Sequence, residues 1–205
     1  MPAKALYEKY ENLYISLRTI ISTSQQRVLS EEHDELFSSN VNFFVKSYMI
    51  NICNYLEAFL QDIAFEYSKG INERLKKANI PHNYVYWQVS KEVKDKEMKF
   101  VDANYPVSKK DISDSLSANP YKTIKVFRLL GIDLIKEETF QDNKELVNSV
   151  VVKRNNIIHH NDNAMDISFS DLLSYVDVFL EYMKSINQAL EKQGGSTYRD
   201  RDTHR

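Results

Sequence analysis

Apolar residues recur at three- and four-residue intervals through most of this chain, the period of an α-helix with one face turned inward. Leu6, Tyr10, Leu13, Leu17, Ile20 and Ile21 predict an amphipathic helix over residues 3–28. Ser30, followed by Glu31 and Glu32, reads as a cap with acidic first-turn residues. It opens a longer helix expected from about Glu32 to Tyr67. The apolar positions of that helix, among them Phe37, Val41, Phe44, Tyr48, Ile52, Tyr55, Phe59 and Ile63, lie on more than one side. Such a pattern suits a helix at the centre of a bundle or along a dimer seam. Gly70 is expected to end or bend it, and a shorter helical piece at 71–79 stops at Pro81.

Residues 80–118 show no sustained period. Tyr84, Tyr86, Trp87 and Tyr105 stand there among Lys, Asp and Ser. Aromatics in a basic setting can stack nucleobases, although such side chains more often pin an irregular insertion onto a core. Periodicity returns at Asn119-Pro120, where proline suits the first helical position, and a short helix runs to Leu130 and closes at Gly131. Thr139 with Asp142 resembles a capping box and opens a helix through Val147, Val150, Val151 and Val152. Asn161-Asp162-Asn163 is turn chemistry and ends it. The last helix begins near Ser168, with Asp171 in its first turn. It continues through Leu172, Val176, Phe179, Met183, Ile186 and Leu190 to a stop at Gly194-Gly195. The expectation is an all-α bundle with an irregular insertion at 80–118. One domain would cover residues 1–193, followed by a polar, flexible tail at 194–205.

Composition supports that picture. The 205 residues include only 4 Gly and 4 Pro, so turns are scarce and regular segments long. Hydrophobic residues at 42% and charged residues at 27% are ordinary for a globular protein. The single cysteine, Cys53, cannot form an internal disulfide; it fits a reducing cytoplasm and reads as a small core residue. No run of about eighteen apolar residues occurs, so no membrane span is expected, and the first residues lack the apolar core of a secretion signal. The net charge of −2 argues against non-specific coating of nucleic acid and makes any such contact local.

Against this background Arg154-Asn155-Asn156-Ile157-Ile158-His159-His160-Asn161-Asp162 stands out. It places a guanidinium, carboxamides, two imidazoles and a carboxylate at the end of an otherwise apolar helix. Three readings compete. Arg154 and the histidines could serve structure alone, pairing with an acid and satisfying a helix end. His159, His160 and Asp162 are competent metal ligands, but adjacent helical residues point about 100° apart and rarely converge on one ion. The third reading is metal-independent phosphodiester chemistry on RNA. Arg supplies bidentate contact to phosphate, and His exchanges protons near neutral pH. Arg154 and His159 are five positions apart, about 140° around an ideal helix, so one copy makes a sparse site. Two copies in a symmetric dimer would gather two Arg and two His around one phosphate.

The Arg154-Asn155-x-x-x-His159 pattern resembles the signature of the HEPN superfamily (higher eukaryotes and prokaryotes nucleotide-binding domains). The apolar helix before it and the amphipathic helix after it fit as well. Asn54-Tyr55-Leu56-Glu57-Ala58-Phe59 is similar to the early helix of stand-alone members, which often carries an acid near this point. The resemblance spans roughly residues 40–190. It implies an all-helical bundle and a metal-independent endoribonuclease without cofactor, acting as a homodimer on an RNA substrate. It also implies a toxin or antiphage role, with an antitoxin or neighbouring defence protein as a further partner. Arg154, His159 and Asn155 are the implied catalytic residues. His160, Glu57 and Asp162 are auxiliary, His160 fitting a variant with one more intervening residue. Some members have lost catalysis, so a non-catalytic module binding nucleotide, RNA or protein is the rival expectation.

Overall fold

The computed structural model describes residues 2–31, 34–92 and 94–196. Eight α-helices account for most of them: α1 (Pro2–Leu29), α2 (Glu35–Ser38), α3 (Val41–Lys77), α4 (His82–Ser90), α5 (Lys109–Ser115), α6 (Pro120–Leu129), α7 (Glu138–His160) and α8 (Phe169–Ser196). Among the described residues the only extended pairing is an isolated antiparallel bridge between Pro81 and Asp102. The all-α expectation holds.

Helix α3 is the axis of the bundle, with α1, α5, α7 and α8 packed around it. Its buried positions begin as a stripe through Val45, Met49, Ile52, Leu56 and Phe59. They then step through Leu60, Ala64, Ser68 and Asn72. A four-residue step overshoots the 3.6-residue turn by about 40°, so the buried stripe winds around the helix. It carries Asn72 to the side where the insertion docks. The many-sided apolar pattern in the sequence is this winding stripe. Tyr14 seals the α1–α3 contact: fully buried, it donates from its hydroxyl to the Ile52 carbonyl at 2.6 Å. Asp62 on α3 ties three helices, accepting from Tyr10 of α1 at 2.8 Å and from Lys109 at the start of α5 at 3.1 Å.

Several boundaries differ from the sequence expectation. The helix expected from Glu32 starts later and is broken: α2 is a single turn, and α3 begins only at Val41. Glu32 and His33 lie outside the described residues. Ser38 and Asn40 account for the break, because their side chains donate to the backbone carbonyls of Asp34 and Leu36 and so compete with helix propagation. Gly70 neither ends nor splits α3, which runs seven residues past it to Lys77, absorbing most of the separate piece expected at 71–79. The stop comes at Asn79, whose φ of 50° is left-handed, and at Pro81. The 80–118 insertion is built of short elements, α4 and α5 with a 3-10 turn at Asp95–Glu97 between irregular stretches.

The capping box expected at Thr139 and Asp142 does not form. Glu137 takes the N-cap position, and a 3-10 turn at Leu134–Lys136, of which only Leu134 is buried, leads directly into α7. Packing of Leu134 sets the start of that helix. Ser168 and Asp171, by contrast, form a full reciprocal box, with Asp171 accepting from the Ser168 N–H at 2.8 Å and donating its own N–H to the Ser168 hydroxyl at 3.1 Å. Asn119 caps α6 through the Tyr121 and Lys122 N–H groups, and Gly131 closes it at a φ of 83°. Helix α8 continues through Gly194 and Gly195 to Ser196 rather than stopping at the glycines. Residues 197–205 of the expected tail lie outside the described residues.

Candidate functional site

The polar cluster occupies the last two turns of α7. Helical geometry divides it between two faces, since Arg154 shares its face with the buried Val147, Val150, Val151 and Ile157. Its guanidinium is therefore directed at α3, where the sequence supplies polar partners one turn apart. Arg154 donates through Nη2 to the Asn54 Oδ1, and the same nitrogen lies 3.6 Å from the Glu57 carboxylate. Through Nη1 it donates to the Oδ1 of its neighbour Asn155 at 3.0 Å. The Arg154 side chain is 16% exposed and that of Glu57 31%. The Nε of Arg154 is buried with no hydrogen-bond partner among the described residues.

His159 falls on the opposite, outward side of α7, in the stripe of the exposed Val152. His160 is also exposed. Among the described residues neither imidazole has a hydrogen-bond or ion-pair partner. Within one chain, then, the structure brings Arg154, Asn155 and Glu57 together and keeps His159 and His160 apart from them. Asp162 is half-buried beyond the helix end and joins neither group. No set of three His, Cys, Asp or Glu among the described residues is arranged to hold a metal ion.

The helix end itself is built with care. Asn161 adopts the left-handed conformation at φ 51°, and its N–H reaches back to the Asn156 carbonyl. Asparagine tolerates that conformation better than other residues with a β-carbon. Lys46 of α3 donates to the Asn161 Oδ1 at 3.0 Å and to its carbonyl at 3.3 Å. Asn42 accepts from the Ala164 N–H at 3.1 Å. The turn after the histidines is thereby fastened to the N-terminal part of α3. Lys46 was not singled out in the sequence, and Asn54 appeared there only as the first residue of the Asn54–Phe59 segment, without a role. Asn54 was within reach of inference, because it stands one turn before Glu57 on the same face. Lys46 carried no local signal.

Cys53 lies fully buried next to this cluster. Burial pushes its thiol up to about 12 against the pull of the nearby Arg154 cation. It is a core side chain and not a nucleophile at neutral pH.

Among the described residues, no helix is long and apolar enough to cross a membrane. Residues 9–192 match the family model described as RiboL-PSP-HEPN. No match was found among curated proteins or among solved structures.

Proposed function

The chain belongs to the RiboL-PSP-HEPN family, and from that membership we propose that it is a metal-independent endoribonuclease completed by a second copy of itself. The observation that carries the reading is the division of the motif: Arg154 is held against α3 by Asn54 and Glu57, while His159 stands open to solvent on the far side of α7. One copy offers an oriented cation and an accessible imidazole that do not meet. A two-fold pairing across the exposed side of α7 brings the two His159 imidazoles of the pair into one cleft, which Arg154 reaches when its long side chain swings away from α3. Exposed apolar side chains occur on and just after α7: Val152 in the stripe of His159, Ile158 next to it in sequence and Met165 in the turn that follows. They support contact with a second chain.

The chemistry follows from the residue types. An imidazole takes the proton from the ribose 2′-hydroxyl, whose oxygen attacks the adjacent phosphorus. The bond from phosphorus to the 5′-oxygen breaks, and the second imidazole protonates that leaving oxygen. Arg154 stabilises the charge on the phosphorane oxygens. Asn155 holds the Arg154 Nη1 through its Oδ1 and keeps its amide N–H groups for phosphate. Products then carry 2′,3′-cyclic phosphate and 5′-hydroxyl ends. The biological role that fits is a toxin or antiphage effector, restrained or triggered by an antitoxin or a neighbouring defence protein.

The test is expression of the wild type beside Arg154→Ala and His159→Ala, scoring growth and RNA cleavage. His159→Ala should lower cleavage by about 10²–10⁴, and Arg154→Ala by about 10²–10³. Cleavage should survive EDTA and leave 5′-hydroxyl ends. Undiminished cleavage by the double variant, or 5′-phosphate products, ends the catalytic reading. A non-catalytic RNA- or protein-binding module is favoured by one feature, the engagement of the Arg154 guanidinium by its own α3. That reading predicts no cleavage by the wild type.

A further inference from the structure

The 80–118 insertion carries a second concentration of chemistry that the motif does not use. It is fastened to the core at Asn72, whose side chain donates to the Asn104 Oδ1 at 2.9 Å and accepts from the Tyr105 N–H at 2.8 Å. Backbone hydrogen bonds from His82 to Val101 and from Ala103 to Ile80 close its base. His82 fills the space beneath, stacked on Tyr86 and bonded through Nδ1 to the Tyr105 hydroxyl at 3.2 Å. These contacts make the insertion a built platform. Yet its outer side chains are left bare: Tyr84 is 56% exposed, Trp87 54% and Phe100 92%. Exposed aromatics gathered on an anchored segment mark a binding surface.

Two adjoining open grooves run across this platform. One, of about 470 Å³, is lined by Asn83, Tyr84, Trp87, Lys91 and Met98. The other, of about 370 Å³, is lined by Lys99, Phe100, Val101 and Asp102, and Asn83 belongs to both. Tyr84 and Trp87 meet at 67° with ring centroids 6.4 Å apart, forming a corner of two aromatic faces. Asn83 accepts from the Lys99 N–H at 2.8 Å, and its amide nitrogen has no partner among the described residues. Thus aromatic faces, an amide able to meet a base edge and a lysine in each groove lie together, with Asp102 the one acid lining them.

We propose that this platform binds single-stranded RNA, stacking unpaired bases on Trp87, Tyr84 and Phe100 while Lys91 and Lys99 contact phosphates. Lysine is depleted from protein–protein interfaces, whereas aromatic faces alternating with cations are the recurrent composition of single-strand sites. Duplex RNA hides its base faces and fits less well. The platform is separate from the motif: Asn72, its anchor, lies about 27 Å along the α3 axis from Asn54, the partner of Arg154. It shares the RNA partner of the proposed nuclease but none of its chemistry, so either assignment can fail alone.

Trp87 is the sole tryptophan of the chain, and its emission therefore reports on this surface directly. The experiment uses the full chain carrying His159→Ala, titrated with a 12-nucleotide single-stranded RNA of mixed sequence and with the matching duplex. Saturable quenching of Trp87 by the single strand, with weaker quenching by the duplex, is the expected result. Lys91→Glu combined with Lys99→Glu should weaken the single strand at least 10-fold. It should also reduce the slope of log affinity against log salt by about 1.4, at about 0.7 per phosphate contact. Trp87→Ala, followed by anisotropy of an end-labelled strand, should weaken binding roughly 10-fold, and Trp87→Phe should restore most of it. All these positions are exposed, and an unchanged circular dichroism spectrum confirms that the variants fold. Absence of quenching overturns the proposal, as does binding indifferent to the lysine and tryptophan substitutions. A Trp87 emission shift that follows protein concentration without RNA also overturns it, since it marks a face for a second copy.

Discussion

Arg154 and His159 belong to one motif but live in different environments, and their substitution should separate stability from activity. Arg154 packs on the inward face of α7 with three polar partners on two helices. Its removal leaves Asn54 and the half-buried Glu57 without their cation. Arg154→Ala should therefore cost about 1–2 kcal/mol in a urea titration. His159 is exposed and unpartnered, and His159→Ala should stay within about 0.5 kcal/mol of the wild type. A comparable loss of stability in His159→Ala would show that the imidazole is packed after all. Cys53 gives a second residue-scale expectation. Its folded-state value of about 12 stands above the ordinary thiol value of about 8.5, so the unfolded chain loses its proton first. Stability from this group is complete below about pH 8.5 and is lost as pH climbs toward 12. Urea midpoints of the wild type should fall more steeply over that window than those of Cys53→Ala. Parallel slopes would contradict the burial of the thiol.

At the scale of elements, two glycines show how position decides cost. Gly70 is inside α3, where an added β-carbon would meet nothing nearer than an Arg74 guanidinium nitrogen at 3.8 Å. Alanine there removes backbone freedom from the unfolded chain without a clash. Gly70→Ala should raise stability by about 0.5–1 kcal/mol. Gly131 also has open space, but its φ of 83° is a conformation that L side chains rarely adopt. Gly131→Ala should lower stability by about 1 kcal/mol or more and fray the end of α6. Thermal melts of the two variants should move in opposite directions. The sequence made Gly70 look like a helix end because glycine commonly is one. Buried Ser68 and Asn72 on either side of it carry α3 through, as tertiary packing overrides a weak local preference.

At the scale of the molecule, the open side of α7 is the feature that a single chain leaves unexplained. Val152, in the stripe of His159, and Ile158 and Met165 are exposed, and among the described residues His159 and His160 have no partner. With the pairing proposed above, light scattering at micromolar concentration should give about 48 kDa, twice the 24.1 kDa of the chain. Val152→Lys, which puts like charges against each other across a two-fold axis, should shift that mass toward one chain and lower RNA cleavage together with it. A monomer that cleaves RNA as well as the wild type would remove the shared-site argument while leaving the nuclease intact.

The sequence by itself determined the helical class and the existence and order of the long helices. Apolar spacing is a local property that one chain displays residue by residue. It also determined ends whose chemistry is local: the start near Ser168 with Asp171 in the first turn, the Asn119-Pro120 start, and the closures at Gly131 and Asn161. The motif Arg154-Asn155-x-x-x-His159 was legible as residues, and Glu57 was legible as a companion. Tertiary structure alone decided that α3 runs unbroken through Gly70, that Leu134 and not Thr139 sets the start of α7, and that the insertion is anchored at Asn72. It alone turned Arg154 toward Asn54 while His159 faces solvent. Those outcomes depend on contacts between residues far apart in sequence, such as Lys46 with Asn161 or Arg154 with Asn54. The free energy of such contacts arises only when distant segments pack, and no periodicity along the chain records it.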